Sequence, residues 1–186
     1  MKLAYKTLQV PILIKDLNIS EELLNKTINK IYQIGDEMNK ETNVKAFMSA
    51  YDTHKKNPEF HPLLKKIMDE IDVNYPDDLF INHQIFDKRD YFYILDDMWC
   101  SIYKSGDHSL RHHHIPSILS FCYYLQADDL SSPLFFDDLN FEVKPKSNTL
   151  IVFPSYLNHS VEKQKELGID RILIAGNISL EMKQNA

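Results

Sequence analysis

The chain has 186 residues and a formal net charge of −6, from 27 acidic and 21 basic side chains. Its hydrophobic and charged fractions, 44% and 26%, are ordinary for globular proteins and exclude fibrous and disordered classes. This length suits one domain. Because the basic residues form no run or cluster, we expect no extended nucleic acid among its partners.

The first residues and the cysteines predict where the protein is found. Residues 1–18 have neither the continuous apolar segment nor the cleavage site of a signal peptide. No stretch approaches the roughly 18 apolar residues of a membrane span. Cys100 and Cys122 lie in apolar, strand-like runs, which is typical of buried reduced thiols. We therefore predict a cytoplasmic protein without a membrane partner.

The first part of the chain alternates between strand and helix signals. Residues 8–14 predict a short strand at a sheet edge, because Pro11 would interrupt a central strand. Residues 20–35 have apolar side chains at helical spacing behind a capping serine. A second helix is predicted at residues 62–75, with a proline near its start and another just after its end.

The pattern changes towards strands later in the chain. Residues 36–56 are mostly polar and predict a loop with one short apolar turn at residues 46–48. Short β-branched and aromatic runs follow, at residues 91–95, 98–103, 117–125, 133–136, 141–143, 149–153, 159–162 and 171–179. Turn residues separate these runs, which predicts an all-β sandwich or barrel. We expect a single domain, with residues 1–76 as a helical layer carrying a short edge strand and residues 77–186 as the barrel core.

Three adjacent histidines indicate a metal site. On an extended segment, His112 and His114 point to one face and His113 to the other. His159 follows a separate apolar run and can close the site from a distant strand. The simpler alternative is a polar loop of solvated imidazoles. Histidines anchored on two strands are typical of mononuclear non-haem iron centres, so we predict that His112, His114 and His159 bind a metal ion.

Two further polar residues follow in the last strand. Arg171 suits a cosubstrate that bears a carboxylate, because guanidinium binds carboxylate through a bidentate fork. Its alternative role is an ordinary surface ion pair. Asn177 follows Arg171 by an even number of residues and shares its face of the strand. Since a buried asparagine needs hydrogen-bond partners, Asn177 is predicted to line the same pocket.

A series of motifs between Trp99 and Asn177 carries a family resemblance. The motifs are Trp99, Gly106-Asp107, His112-x-His114, Leu119-Ser120 with Tyr123-Tyr124, Phe153-Pro154-Ser155 with His159-x-Val161, Asp170-Arg171 and Asn177. Together they resemble the iron(II)- and 2-oxoglutarate-dependent oxygenases, and within them a small group of bacterial and viral members. Each motif alone is weak, but their order and spacing are specific.

The resemblance implies a mainly β fold, a double-stranded β-helix of the jelly-roll, cupin-like type, with the N-terminal helices packed on it. It implies that His112 and His159 bind Fe(II) and that Arg171 binds the distal carboxylate of 2-oxoglutarate. His114 stands where most members of the superfamily have Asp or Glu, so the third ligand would be a neutral imidazole. A tyrosine at the position of Tyr103 forms a hydrogen bond to 2-oxoglutarate in the demethylase-like branch.

Several assignments stay open at this stage. Asp107, Asp137 or Asp138 could supply the carboxylate in place of His114, although turn residues exposed to solvent are the favoured interpretation of all three. Phe121 stands where the group has glycine and could narrow the pocket. The remaining aromatic residues of the motifs are predicted to belong to the core: Trp99, Tyr123, Tyr124 and Phe153.

Taken together, these observations predict an enzyme. It would be a 2-oxoglutarate-dependent dioxygenase that hydroxylates a small molecule or a peptide and releases succinate and CO2. One alternative is a cupin-type metal dioxygenase with three histidines that does not use 2-oxoglutarate. Another is a non-catalytic metal-binding β-barrel. An exposed edge strand would also allow a homodimer.

Overall fold

The protein is built from thirteen strands and three α-helices in the part of the chain described by the computed structural model, residues 9–34, 42–75, 78–81, 84–87 and 90–183. The elements are β1 (Leu13–Asp16), α1 (Glu21–Gln33), β2 (Val44–Lys45), β3 (Phe47–Met48), α2 (Thr53–Lys56), α3 (His61–Asn74), β4 (Asp78–Ile81), β5 (Gln84–Asp87), β6 (Tyr91–Tyr103), β7 (His108–His112), β8 (Leu119–Gln126), β9 (Leu134–Phe136), β10 (Phe141–Val143), β11 (Thr149–Pro154), β12 (His159–Val161) and β13 (Arg171–Met182).

Two antiparallel sheets form the body of the molecule. The larger has the order β1-β11-β8-β13-β6-β3, and the smaller has the order β10-β9-β12-β7-β2. Strands β4 and β5 form a separate hairpin. The inner faces of the two sheets share one apolar cluster, to which β6 and β11 contribute from the larger sheet and β9 and β12 from the smaller. The predicted double-stranded β-helix is confirmed.

The helices cover the outer face of the larger sheet. Ile31 of α1 and Ile67 of α3 belong to the same buried cluster as Cys100 of β6 and Ile174 of β13. The larger sheet is therefore buried on both faces, which is why its strands have nearly continuous apolar runs and lack alternation of apolar and polar residues. The prediction that N-terminal helices pack on the barrel is confirmed.

Both predicted helices form close to their expected positions. In α1, the Ser20 side chain accepts a hydrogen bond from the backbone N–H of Leu23 at 3.4 Å and caps the helix. Helix α3 buries Leu63, Ile67 and Ile71 along one side. None of the helices in the described residues is long and apolar enough to span a membrane.

The short strands differ most from the sequence-based prediction. The expected strand at residues 8–14 is observed as β1, shifted to Leu13–Asp16, although it does lie at the edge of the larger sheet. Residue 8 lies outside the described residues. The loop and apolar turn predicted at residues 36–56 are wrong from residue 44 onwards, where β2 pairs with β7 and β3 with β6. Two-residue strands have no periodicity of their own, so only pairing with a longer neighbour reveals them.

The expected single domain, with a helical layer at residues 1–76 and a barrel core at 77–186, stays a prediction. The strands β1, β2 and β3 precede residue 76 and join the two sheets. The N-terminal part of the chain therefore contributes strands to the barrel as well as helices to its outer face.

Truncation of a helix side chain should measure how much the helical layer stabilises the barrel. Ile67 is fully buried against the larger sheet, so Ile67→Ala should lower the free energy of unfolding by about 2–5 kcal/mol in urea titrations. Val73 lies on the same helix with 76% of its surface exposed. Val73→Ala should therefore change the free energy of unfolding by less than about 0.5 kcal/mol. Equal effects of the two substitutions would contradict the packing described above.

Candidate metal centre

Three imidazoles converge at the mouth of the barrel. His112 ends β7 and pairs across the sheet with His159, the first residue of β12. His114 lies just beyond β7, and its backbone N–H donates to the Ser155 carbonyl at 2.8 Å. The ligand atoms of the three histidines lie within 4.8 Å of one another, and the Nε2 atoms of His114 and His159 are 3.3 Å apart. The 3.3 Å separation is one that two nitrogen ligands at about 2.1 Å from one ion would have, so the cluster could close on a single metal ion.

Backbone carbonyls set the tautomers of two of these histidines. The Nδ1 atom of His112 lies 2.6 Å from the Leu110 carbonyl, and that of His159 lies 2.9 Å from the Leu157 carbonyl. Because a carbonyl oxygen only accepts, each Nδ1 carries the proton and each Nε2 keeps a free lone pair. Outer hydrogen bonds of this kind orient the histidine ligands of metal sites.

The surroundings also keep the imidazoles uncharged. Burial lowers the pKa of all three histidines, and the neighbouring histidines lower it further. The pKa of His114 falls to about 3, and that of His159 falls well below its usual value. A neutral imidazole is the form that binds a metal, so the site needs no proton release from these groups at neutral pH.

The three carboxylates considered as alternative ligands have other partners. Asp107 Oδ2 accepts the Lys104 backbone N–H at 2.7 Å in the turn after β6. Asp138 accepts the Asn158 backbone N–H at 2.8 Å, and Asp137 and Asp138 both form ion pairs with Arg111. In the described part of the chain the metal cluster consists of imidazoles alone.

Asp138 joins the two strands that carry metal ligands. Arg111, next to His112, donates to Asp138 Oδ1 at 3.2 Å. Asn158, next to His159, donates from its side-chain amide to the same carboxylate at 3.0 and 3.2 Å. Asp138 therefore fixes the spacing of the two ligand strands from outside the site.

Arg171 is a buried cation at the other end of the same cavity. It is 1% exposed, donates from Nη1 to the Ser132 carbonyl at 2.7 Å and from Nη2 to the Tyr124 hydroxyl at 3.0 Å. Its guanidinium carbon lies 5.1 Å from the ring centre of Tyr103, opposite it in the sheet, and 5.0 Å from that of Tyr124. The Nε atom has no hydrogen-bond partner, and no described carboxylate forms an ion pair with Arg171. The ion pair suggested as its alternative role is therefore not observed.

One cavity connects the histidines with Arg171. Alternate residues of β6 and of β13 line it, because side chains on one face of a strand recur every second residue. The lining residues are Val44, Trp99, Ser101, Tyr103, Ser109, His112, His114, Ser120, Phe121, Cys122, Leu134, Phe153, His159, Val161, Arg171, Leu173 and Ala175. Tyr103 lies in the wall of this cavity next to Arg171.

The structure places Asn177 beside the cavity and not in its lining. Asn177 continues the face of Arg171, Leu173 and Ala175 by one position. Its Oδ1 accepts the Ser120 hydroxyl at 3.0 Å, and that hydroxyl lies 2.7 Å from the Ser155 hydroxyl. The asparagine therefore contacts the site through Ser120.

Trp99, Tyr124 and Phe153 belong to the buried core, as predicted, and each also contacts a residue of the site. The Trp99 ring lies 5.6 Å from that of His114, and the Phe153 ring lies 4.9 Å from that of His159. Tyr124 accepts a hydrogen bond from Arg171. The even spacing between Trp99 and Tyr103 is the signal that places both on one face. Only Tyr123 has a purely structural contact, from its hydroxyl to Asn148 Oδ1 at 2.6 Å.

The Phe121 side chain faces the helical layer, in the same buried cluster as Leu119 and Tyr123, so it does not narrow the cavity that the residue borders. It lies opposite Gly176 of β13. A Cβ atom at Gly176 would lie 2.6 Å from Phe121 Cε1 and 2.7 Å from the Asp97 carbonyl oxygen. Glycine at this position therefore gives the phenyl ring its space.

The depressed pKa of His114 should make the metal-free protein less stable in acid. The unfolded chain binds a proton at this imidazole near pH 6.5, whereas the folded protein binds it only near about pH 3. Stability should therefore be lost as pH falls through this window, by up to about 1.4 kcal/mol per pH unit. Urea titrations with chelator present should show a shallower pH dependence for His114→Gln. An unchanged dependence would contradict a neutral, half-buried His114.

Removal of the carboxylate between the ligand strands should weaken metal binding. We expect Asp138→Ala to raise the dissociation constant of the metal up to about tenfold, because outer contacts orient the ligands. Competition with a chromophoric chelator measures it. Asp129, an exposed aspartate away from the histidines, is the control, and Asp129→Ala should leave the affinity unchanged. Equal affinities of the two variants would mean that Asp138 does not position the ligands.

Comparison with solved structures identifies the fold. A viral collagen prolyl hydroxylase from Paramecium bursaria Chlorella virus-1, in complex with 2-oxoglutarate, has a TM-score of 0.66 at 16% identity, over 90% of this chain and 94% of that chain. HygX from Streptomyces hygroscopicus, with nickel and 2-oxoglutarate bound, has a TM-score of 0.63 at 11% identity, over 91% and 83%. A prolyl-4-hydroxylase from Pseudomonas putida has a TM-score of 0.59 at 12% identity, over 95% and 94%. No protein-family model and no curated protein matches the chain. The chain has the fold of the iron(II)- and 2-oxoglutarate-dependent oxygenases.

Proposed function

We propose that the protein is an Fe(II)- and 2-oxoglutarate-dependent dioxygenase that hydroxylates a small molecule or a peptide. The observation that carries this proposal is Arg171, a buried guanidinium that pairs with no carboxylate of the described residues, in a cavity that also holds three imidazoles able to bind a metal. Burial of an unpaired charge costs free energy, so the buried guanidinium is best explained by an anionic ligand that pairs with it.

The chemistry of the cavity favours a dicarboxylate that also binds metal. 2-Oxoglutarate chelates a metal through its 2-oxo acid end and presents a second carboxylate to a bidentate guanidinium at the other. Arg171 would hold that carboxylate, with the Tyr124 hydroxyl beside it. HygX and the viral prolyl hydroxylase bind 2-oxoglutarate in structures of similar fold, which supports the assignment.

The donor set fits Fe(II). His112, His114 and His159 would hold the ion, with coordination positions left for cosubstrate and oxygen. Iron would supply the oxidation, in which 2-oxoglutarate, O2 and a C–H bond become succinate, CO2 and an alcohol. Three neutral imidazoles cancel none of the charge of the ion, so the dianionic cosubstrate would neutralise it.

Other residues of the cavity would orient the cosubstrate and exclude water. Burial raises the pKa of Tyr103 to about 12, so its phenol stays protonated and can donate to 2-oxoglutarate. Asn177 would act through its hydrogen bond with Ser120, as a positioning residue. Trp99 and Phe153 cover two of the imidazoles and would limit access of water to the metal.

Two other functions fit less well. A three-histidine dioxygenase of the cupin type would have no dicarboxylate to bind, and a non-catalytic metal barrel would have no need of a buried cation beside its ligands. The prolyl hydroxylase from Trichoplax adhaerens binds a peptide fragment and HygX binds hygromycin B, so peptide and small-molecule substrates both occur with this fold. The cytoplasmic location and the homodimer stay predictions from the sequence.

Anaerobic titration with 2-oxoglutarate tests the proposal. The Fe(II)-loaded protein should develop the weak visible band of an iron–keto-acid chelate. Arg171→Met should weaken cosubstrate binding at least about a hundredfold, since it removes one partner of a buried charge pair. The metal affinity should stay similar, because the arginine contacts none of the histidines.

A second variant guards against misfolding. Arg171→Lys keeps the charge but loses the fork, so it should bind 2-oxoglutarate with intermediate affinity. Iron binding without a chelate band in the native protein would favour the cupin-type enzyme. Absence of both iron and cosubstrate binding would refute a metal-dependent oxygenase.

A further inference from the structure

An aromatic pair extends from the metal ligands to the surface. Trp99 is 5% exposed and its ring lies 5.6 Å from the His114 ring. The ring of Tyr51 meets Trp99 edge-on, with centres 5.3 Å apart and an angle of 80°, and 43% of Tyr51 is exposed. The two rings therefore form a continuous aromatic surface from His114 to the exterior of the protein.

The Asp97 carboxylate lies on the same side, and a β-bulge separates it from the first half of its strand. In the pairing of β6 with β13, Asn177 is opposite Asp97 and Ile178 is opposite Leu95, so Asp96 is the extra residue. The bulge exchanges the faces of β6. Leu95 packs on the helix side, whereas Trp99 faces the cavity. Asp97 shares the face of Trp99, two residues away.

The Asp97 carboxylate has weak partners. Asn177 Nδ2 lies 3.5 Å from it, at the limit of a hydrogen bond, and no described Lys, Arg or His forms an ion pair with it. Its charge reaches Tyr51, whose pKa is raised first by burial and then by Asp97. A half-buried carboxylate with so little compensation favours a cation beside it.

A hydrogen-bond chain links this carboxylate to the metal site. Asn177 accepts from the Ser120 hydroxyl, which contacts the Ser155 hydroxyl. The carbonyl of Ser155 accepts the backbone N–H of His114. A group bound at Asp97 would therefore be linked through Asn177 and Ser120 to the segment that positions His114.

A buried imidazole nearby also has an unmet hydrogen-bonding atom. His54 in α2 is 9% exposed, and its Nδ1 atom has no partner. Burial lowers the pKa of His54, the neighbouring Lys55 lowers it further, and Asp97 opposes both. Two polar groups on the same side of the site, Asp97 and His54, thus lack full partners.

We propose that the mouth of the cavity binds a positively charged nitrogen of the substrate, with Asp97 as the counter-ion and Trp99 and Tyr51 as the aromatic surface. A carboxylate beside aromatic faces is a typical receptor for an ammonium or guanidinium group. The net charge of −6 also favours a cationic ligand. The hydroxylated carbon would then lie near this nitrogen in the substrate. The choice of substrate rests on the proposed function, whereas the binding of the cation does not.

The single tryptophan makes this binding measurable without turnover. Trp99 is the only tryptophan of the chain, so its emission reports on the proposed site. The Zn(II)-loaded protein with 2-oxoglutarate is titrated with n-butylammonium, and separately with n-pentanol and butyrate as neutral and anionic analogues. We expect saturable changes with the ammonium ion and none with the other two at the same concentrations.

Neighbouring aspartates provide a matched pair of variants. Asp97→Asn should weaken n-butylammonium binding at least about tenfold, because it removes the counter-ion and keeps the shape. Asp96, which accepts the Ser179 hydroxyl at 2.9 Å, is the control, and Asp96→Asn should bind as the native protein does. If circular dichroism shows that Asp97→Asn is misfolded, Tyr51→Leu is tested in its place. This substitution should also weaken the binding of n-butylammonium.

The outcomes separate the two proposals. Equal binding of n-pentanol and n-butylammonium, or equal effects of the Asp96 and Asp97 variants, would overturn the cation site. The keto-acid band of the Fe(II) protein tests the cosubstrate independently, so either proposal can fail alone. Capped lysine and a lysine-containing hexapeptide then show where the positively charged nitrogen comes from. Tighter binding of the peptide would indicate a side chain of a protein substrate, and equal binding of the two would indicate a free amine.

Discussion

Strand β13 is covered on both faces, and the rest of the molecule depends on this arrangement. Its neighbours are β8 and β6, and its side chains alternate between two buried environments. Ile172, Ile174 and Ile178 contact the helical layer, whereas Leu173 and Ala175 face the cavity. The helices therefore stabilise the strand that carries Arg171, and the burial of this charge is possible only because the sheet around it cannot open to solvent.

The described polar groups that line the cavity have an excess of positive charge. Three imidazoles are held neutral by burial, which lowers their pKa, and one guanidinium is held charged by its chemistry. No described carboxylate in the cavity balances them. A metal ion would add further positive charge, so the site as a whole is built for an anion. This balance differs from that of a site with two histidines and one carboxylate, where the protein itself supplies part of the negative charge.

The polar residues of the site follow one another along the barrel. Arg171 and Tyr103 lie opposite each other at one end, and the histidines lie further along. Asp97 and Asn177 also lie opposite each other in the pairing of β6 with β13. The bulge at Asp96 reverses the faces of β6, so Leu95 packs on the helix side whereas Asp97 and Trp99 face the other way. The two apolar runs of the sequence, residues 91–95 and 98–103, are separated at this bulge, although the chain continues as one strand.

The sequence by itself determined the residue types and their faces. The i, i+2 spacing of His112 and His114, the even spacing from Arg171 to Asn177, and the apolar stripes of α1 and α3 follow from strand and helix periodicity, which is local. Only the tertiary structure decided which distant groups meet. Four features depend on register and on contacts between the sheets. They are the pairing of His112 with His159, the lack of a carboxylate in the metal cluster of the described residues, the short strands β2 and β3, and the contacts of Trp99, Tyr124 and Phe153 with residues of the site. Local patterns carry no information about such contacts, because the energy that fixes them comes from burial against partners far away in the chain.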